Sequence, residues 1–147
     1  MAASPWKPYF AYGSNMDVAQ MRYRCPGARV IGIGVLPRHR FIINRRGVAS
    51  VVPAAACDVH GVLWHITPAH EAALDDYEGV AEGCYYKTTV DIVIPGQERV
   101  AALIYIATEN TPGVPRPRYM ERILLAATAH GLPEAYCAKL RAWLPRP

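Results

Sequence analysis

The sequence contains no apolar run near the roughly 20 residues that a membrane-spanning helix needs. Its N-terminus also lacks the apolar segment of a secretory signal peptide. The cysteines are scattered, with no Cys-x-x-Cys pair, at Cys25, Cys57, Cys84 and Cys137. This spacing predicts unpaired, mostly buried thiols in a reducing compartment. We therefore expect a cytoplasmic protein that does not bind membranes.

Signatures of metal, nucleotide and serine-hydrolase sites are also missing. The histidines do not follow a metal-ligand spacing and no His-Glu-x-x-His occurs, so we expect no metal site. Ser14 does not stand in a Gly-x-Ser-x-Gly elbow. The pair Gly32 and Gly34 lacks the third glycine and the helix of a dinucleotide-binding fingerprint. These absences leave the carboxylates as the more informative candidates.

Length and charge narrow the class of protein further. The 147 residues, 52% of them hydrophobic, suffice for one core, so we expect a single domain over residues 1–147. The net charge of +4 would attract an anionic substrate. The basic residues form no long run and are not interleaved with aromatic side chains, so we expect no nucleic-acid partner.

Residues 8–17 combine strand, turn and helix signals. Three aromatic strand formers precede three turn or N-cap residues and an acidic residue suited to a first helical turn. In order, they are Tyr9, Phe10, Tyr12, Gly13, Ser14, Asn15 and Asp17. A strand that runs through such a turn into a helix presents backbone N–H groups to an anion. A plain turn before a capped helix accounts for the same residues, so both interpretations stay open here.

The remaining chain predicts short strands with helices in the middle and at the end. Thr67 and Glu71 predict a helix start, with Pro68 at the favoured first position. Strands are predicted over residues 28–36, 40–44, 49–53, 58–66, 85–94 and 99–107, and later helices over 118–130 and 134–144. The pattern favours a mixed α/β fold, a small partly closed β-barrel with flanking helices.

Three acidic residues stand at the end of the middle helix, where the helix dipole disfavours negative charge. Asp75, Asp76 and Glu78 are either solvent-exposed or, in the case of Glu78, aimed into a cleft. Two loop arginines leave a similar choice. Arg45 and Arg46 are solvated charges, or one of them contacts a substrate carboxylate.

Several segments together resemble the γ-glutamylcyclotransferase family, with its AIG2-like fold. They read Tyr-Phe-Ala-Tyr-Gly-Ser-Asn-Met at residues 9–16, Gly-Val-Leu-Trp at 61–64 and Leu-Asp-Asp-Tyr-Glu-Gly-Val at 74–80. The C-terminal part is similar to the same family at Pro117-Arg118-Tyr119, Gly131-Leu132-Pro133, Tyr136 and Lys139-Leu140. The resemblance implies a small barrel, no cofactor, and a cyclising transferase or lyase. That enzyme would release 5-oxoproline from small γ-glutamyl amino acids or peptides.

The resemblance also implies residue roles. Glu78 matches the general acid/base of the family, and the residues matched to substrate binding are Tyr12, Gly13, Ser14, Asn15, Tyr85 and Tyr119. Tyr77 departs from the family, because relatives are often polar there, and the segment 44–58 is short. Glutathione-specific relatives tend to carry Tyr-Gly-Ser-Leu, so Asn15 argues against that specificity.

The implied reaction explains why a carboxyl group would be needed. The substrate's α-amine attacks its own γ-carbonyl, and proximity can supply roughly 7–11 kcal/mol. One carboxyl can move both protons if its pKa is raised, and we predict that burial and the neighbouring Asp75 and Asp76 raise that of Glu78. Whether the loop N–H groups hold the α-carboxylate or the oxyanion stays open.

Other functions fit the same residues. They are a γ-glutamylamine cyclotransferase, a γ-glutamyl-removing biosynthetic enzyme and a non-catalytic anion-binding module of the same fold. An apolar face left exposed on the C-terminal helices would favour a homodimer.

Overall fold

The computed structural model describes residues 5–145, so the first four residues and the last two of the Pro-Arg-Pro tail lie outside it. Within this range there are five strands and four α-helices. The strands are β1 (Lys7–Ala11), β2 (Arg29–Ile43), β3 (Ala49–Ile66), β4 (Tyr85–Val93) and β5 (Arg99–Ala107). The helices are α1 (Val18–Arg24), α2 (Pro68–Tyr77), α3 (Tyr119–Ala129) and α4 (Glu134–Arg141). A single 3-10 turn, Ser14–Met16, joins β1 to α1.

The strands form a closed barrel in the order β1-β3-β2-β4-β5. All pairs are antiparallel except β1 with β5, which pair in parallel through Tyr9 and Leu103 and close the barrel. The predicted mixed α/β barrel with flanking helices is therefore confirmed. The sheet closes fully, whereas the sequence predicted partial closure.

Four of the predicted strands are halves of two long ones. The segments 28–36 and 40–44 belong to β2, and 49–53 and 58–66 belong to β3. The sequence suggested a turn at Pro37, but the pairing register shifts between Pro37 and His39 instead. Arg38 takes a left-handed conformation there, with φ of 58°. A β-bulge of this kind bends a strand without ending it.

Two helix starts differ in detail from the prediction. Asp17 is the N-cap of α1 rather than part of its first turn, and its side chain accepts from the Ala19 N–H. Thr67 caps α2 as predicted. The residue that completes the capping box is His70 rather than Glu71, because His70 Nδ1 accepts from the Thr67 N–H at 3.1 Å. Glu71 instead pairs with lysines on neighbouring strands. Within the described residues, α4 ends at Arg141 rather than at residue 144.

An apolar core fills the barrel and continues under the C-terminal helices. Phe10, Leu63 and Ile104 are buried inside the barrel. On α3, Ile123 faces the core, whereas Leu125 is exposed. All four cysteines are free, as predicted, although only two are buried: Cys25 and Cys137, with Cys57 and Cys84 partly exposed. None of the helices within residues 5–145 has the length and apolar character to cross a bilayer.

Candidate active site

A small recess at one end of the barrel collects all seven predicted site residues. Its volume is about 40 Å³. The predicted residues around it are Tyr12, Gly13, Ser14, Asn15, Glu78, Tyr85 and Tyr119, and they are joined by Tyr9, Ala49 and Tyr105. These residues come from β1 and the loop after it, the end of α2, the strands β3 to β5 and the start of α3. The closed barrel brings these distant segments together.

The end of α2 fixes the position of Glu78. Gly79 has a left-handed φ of 66°, which glycine adopts readily. Its N–H donates to the Asp76 carbonyl at 3.2 Å, and the Val80 N–H donates to the Asp75 carbonyl at 3.0 Å. These two bonds form a Schellman motif, which ends the helix at a defined angle. Glu78 is thereby held at the helix end beside the loop after β1.

Asn15 connects Glu78 to that loop. The Asn15 side chain is only 3% exposed. Its amide nitrogen donates to the Tyr9 hydroxyl at 2.9 Å and to Glu78 Oε1 at 3.2 Å. Its amide oxygen accepts from Gln20 at 2.9 Å and from Arg24 at 3.1 Å. Because arginine can only donate, Arg24 fixes the orientation in which the amide nitrogen faces Glu78.

Burial raises the pKa of Glu78, and Arg24 and the hydrogen bond from Asn15 partly oppose that rise. The predicted direction is therefore confirmed, but the predicted contribution of neighbouring acids is wrong. Asp75 accepts from the Tyr105 hydroxyl at 2.7 Å and pairs with Lys87 at 3.0 Å. Removal from water, rather than repulsion between carboxylates, accounts for the shift.

The backbone of Ala49 holds two pocket tyrosines. Tyr85 donates its hydroxyl proton to the Ala49 carbonyl at 2.6 Å. The Ala49 N–H donates to the Tyr119 hydroxyl oxygen at 3.0 Å, so the Tyr119 proton is not used in this contact. Burial raises the pKa of Tyr119 to about 12. Tyr119 is therefore neutral near pH 7 and can donate a hydrogen bond into the recess.

A larger cavity of about 450 Å³ opens outside the recess and shares Ser14, Glu78, Tyr85 and Tyr119 with it. Glu78 is the one acidic residue among its described lining residues. Five arginines line it: Arg24, Arg46, Arg116, Arg118 and Arg122. Of the two loop arginines considered from the sequence, Arg46 is in this lining and Arg45 is not. The cavity is therefore strongly basic and suited to an anion.

Residues 58–140, more than half of the chain, match the AIG2-like family. The chain belongs to the AIG2-like family. Its sequence is 27% identical to human γ-glutamylcyclotransferase and 26% identical to the mouse protein of that name. Each match covers 93% of this chain and 78% of the relative. The resemblance identified from the short segments is confirmed.

Several solved structures share the fold of this chain. A γ-glutamyl cyclotransferase matches with a TM-score of 0.89 and 26% identity, over 96% of this chain and 89% of its own. An uncharacterised human protein matches with a TM-score of 0.90 and 26% identity, over 97% and 90% of the two chains. A yeast γ-glutamyl cyclotransferase specific to glutathione reaches a TM-score of 0.62 at 12% identity, over 96% and 95% of the two chains. At that identity, the yeast protein shares only the fold.

Sequence reasoning missed several polar residues of this AIG2-like site. Gln20 and Arg24 lie one helical turn apart on α1 and both donate to Asn15. Their i, i+4 spacing on a helix that starts just after the loop was the available signal. Arg24 also lies over the ring of Tyr77, 4.5 Å from its centre, which gives that unusual residue a role in holding the arginine.

Proposed function

We propose that this protein is a γ-glutamyl cyclotransferase that releases 5-oxoproline from γ-glutamyl amino acids or peptides. The observation that carries the proposal is the contact between Glu78 and Asn15, which holds a carboxyl of raised pKa in the recess. The relatives named γ-glutamylcyclotransferase support the same reaction class. In this role Glu78 is the general acid/base.

The reaction needs two proton transfers at one place. The Glu78 carboxylate takes a proton from the substrate's α-ammonium, and the free amine attacks the γ-carbonyl carbon. The new C–N bond closes a five-membered ring, and the bond from the γ-carbon to the leaving nitrogen breaks. Protonated Glu78 then returns its proton to that nitrogen, which leaves as an amine. The ring nitrogen still carries a second proton, and the released amine takes it and becomes an ammonium. No other reactant is required, because one carboxyl serves first as base and then as acid.

The raised pKa of Glu78 suits both steps. An ordinary glutamate near pKa ~4.3 is a poor match for an α-amine near ~8. Burial reduces this mismatch, because it disfavours the charged carboxylate. In this proposal, the neutral Tyr119 hydroxyl donates to the developing oxyanion, and the loop of residues 12–15 holds the γ-glutamyl group.

The test is 5-oxoproline release from γ-glutamyl-alanine, glutathione and γ-glutamyl-lysine by the wild-type protein and by Glu78→Gln. We expect Glu78→Gln to lower kcat by about 10²–10⁴-fold. Substrate binding should persist, because the glutamine side-chain oxygen can still accept from Asn15. Asp76→Asn, an exposed acid at the same helix end, is the matched control. Undiminished turnover by Glu78→Gln would assign the proton transfers to another group.

We also propose that the protein acts in the cytoplasm as a single domain over residues 1–147. The four free cysteines support a reducing compartment, because secreted proteins of this size usually pair their thiols. Fluorescence and circular dichroism unfolding curves that coincide would support one cooperative domain.

A further inference from the structure

Three arginines from one short segment line the outer cavity, and two are held by neutral acceptors. Arg116 Nε donates to the Arg46 carbonyl at 2.8 Å. Arg122 Nη1 donates to the Gln20 side-chain oxygen at 3.2 Å. Each guanidinium is thus positioned by one bond and keeps further N–H groups for a ligand. Together with Arg118 they are called the arginine wall.

No carboxylate of the described residues is paired with the arginine wall. Within residues 5–145, Arg116, Arg118 and Arg122 form no ion pair with a carboxylate. Arg46, on the same cavity, acts electrostatically on Glu109, so it is excluded from the wall. Unpaired guanidinium groups that share one cavity repel one another, and an anion with several oxygens relieves that repulsion.

The backbone is strained at Arg118, one of the three residues of the arginine wall. Its φ of 64° lies in the left-handed region, which is unfavourable for a residue other than glycine. Arg118 directly precedes α3 and makes no capping hydrogen bond with its side chain. Arg118 lines the cavity, and among residues 5–145 no side chain pairs with its guanidinium, which is therefore available to a ligand.

We propose, resting on the proposed function, that the arginine wall selects γ-glutamyl substrates whose leaving amino acid carries a second carboxylate, such as γ-glutamyl-glutamate. A neutral leaving amino acid offers one carboxylate to three guanidinium groups, whereas a dicarboxylic one offers two. Planar guanidinium groups bind carboxylates with two parallel hydrogen bonds. The volume of about 450 Å³ lies in the range of sites for drug-sized ligands, so it accommodates the longer side chain.

The direct test compares γ-glutamyl-glutamate with γ-glutamyl-glutamine, which has nearly the same shape but a neutral side chain. We expect kcat/KM to be about tenfold higher for the acidic substrate, the effect of one added charge-assisted hydrogen bond at a partly hydrated site. The preference should shrink as salt is added, because Arg116, Arg118 and Arg122 are exposed to solvent. Equal kcat/KM values for the two substrates at low salt would overturn the inference.

Substitutions of single arginines test whether the arginine wall causes the preference for the acidic substrate. Arg116→Gln and Arg118→Gln should each reduce the ratio of the two kcat/KM values toward one. Glutamine at 118 has the same backbone strain as arginine, and a ratio within one variant cancels any loss of folded protein. Arg99→Gln removes an exposed charge on β5 outside the cavity lining and should keep the wild-type ratio. Full retention of the preference in both wall variants would contradict the inference.

A binding measurement separates this inference from the proposed reaction. Calorimetry with Glu78→Gln should show tighter binding of γ-glutamyl-glutamate than of γ-glutamyl-glutamine. That preference, combined with no 5-oxoproline from any substrate with the wild-type protein, would overturn the reaction and leave the arginine wall supported. Turnover of both substrates without a preference would support the reaction and overturn the inference about the arginine wall.

Discussion

At the residue scale, the site depends on one buried amide. Asn15 joins a carboxyl, a phenol, an amide and a guanidinium through four hydrogen bonds. Without this amide, the Tyr9 hydroxyl and Glu78 would each lose a hydrogen-bond partner in a mostly buried space, which is costly. Asn15 also sets the distance between Glu78 and the positive charge of Arg24, which opposes the rise in the Glu78 pKa.

Replacing this amide should harm both stability and activity. Asn15→Leu keeps the approximate volume but removes all four bonds, and we expect a loss of about 1–3 kcal/mol in the free energy of unfolding. Urea unfolding measures that loss, and 5-oxoproline release should fall because Glu78 loses its partner. Ser14→Ala is the comparison, since Ser14 accepts one bond from Gln20 and is partly exposed. Equal stability of the two variants would contradict the central position of Asn15.

At the scale of elements, the loop after β1 depends on how closely β3 approaches β1. The two strands pair in antiparallel register from Lys7 with Ile66 to Ala11 with Val62. A Cβ on Gly61 would meet the Ala11 carbonyl oxygen and, at 2.8 Å, the ring of Phe10. The absence of a side chain at Gly61 therefore lets β1 lie close to β3, just before the chain enters the site loop.

Two paired glycines provide a test of this packing. Gly34 on β2 is the register partner of Gly61, and a Cβ there would meet side-chain atoms of Ile92 and Leu63 rather than backbone. We expect Gly61→Ala to cost about 1–3 kcal/mol of stability, and Gly34→Ala to cost less because side chains can move. Thermal unfolding of both variants gives the comparison. A larger loss at Gly34 would show that the β1 backbone is not the tighter constraint.

At the scale of the whole molecule, closure of the barrel buries the carboxyl group of Glu78, although water stabilises the charged form of such a group. The raised pKa of Glu78 means that the folded state holds this proton more tightly than the unfolded chain, whose value is near 4.5. Stability must then fall as the pH rises from about that value through the folded pKa, because the folded state binds more protons in this window. At neutral pH, the Glu78 carboxyl therefore lowers the free energy of unfolding, although the proposed reaction requires this group.

This linkage predicts the pH dependence of a single variant. Glu78→Gln should have a higher Tm than the wild-type protein at neutral pH, where ionisation of Glu78 in the unfolded chain favours unfolding of the wild-type protein. The difference should disappear below the unfolded value near 4.5, where the wild-type carboxyl is protonated in both states. Differential scanning calorimetry from acidic to neutral pH measures it. A variant that is less stable at neutral pH would reverse the sign and contradict the burial of Glu78.

Local signals in the sequence located most elements, whereas the seven proposed site residues came from the resemblance to the γ-glutamylcyclotransferase family. The strand-turn-helix order of residues 8–17, the Thr67 cap and the hairpin between β4 and β5 depend on neighbouring residues, so they are readable locally. The same holds for Gly79, whose left-handed φ ends α2 after Glu78. The prediction that failed at Pro37 assumed that a proline ends a strand, whereas a bulge with a paired partner strand carries the strand past it.

The sequence by itself determined which residue types stand at each turn, cap and strand, because those preferences act over a few bonds. Only the tertiary structure decided that burial, and not Asp75 or Asp76, raises the Glu78 pKa, because the direction of each carboxyl depends on packing between distant segments. It also decided that α1 supplies Arg24 to Asn15 and that Arg116, Arg118 and Arg122 line the outer cavity. Closure of five strands into one barrel is a long-range event, and no local pattern encodes which side chains it brings into contact.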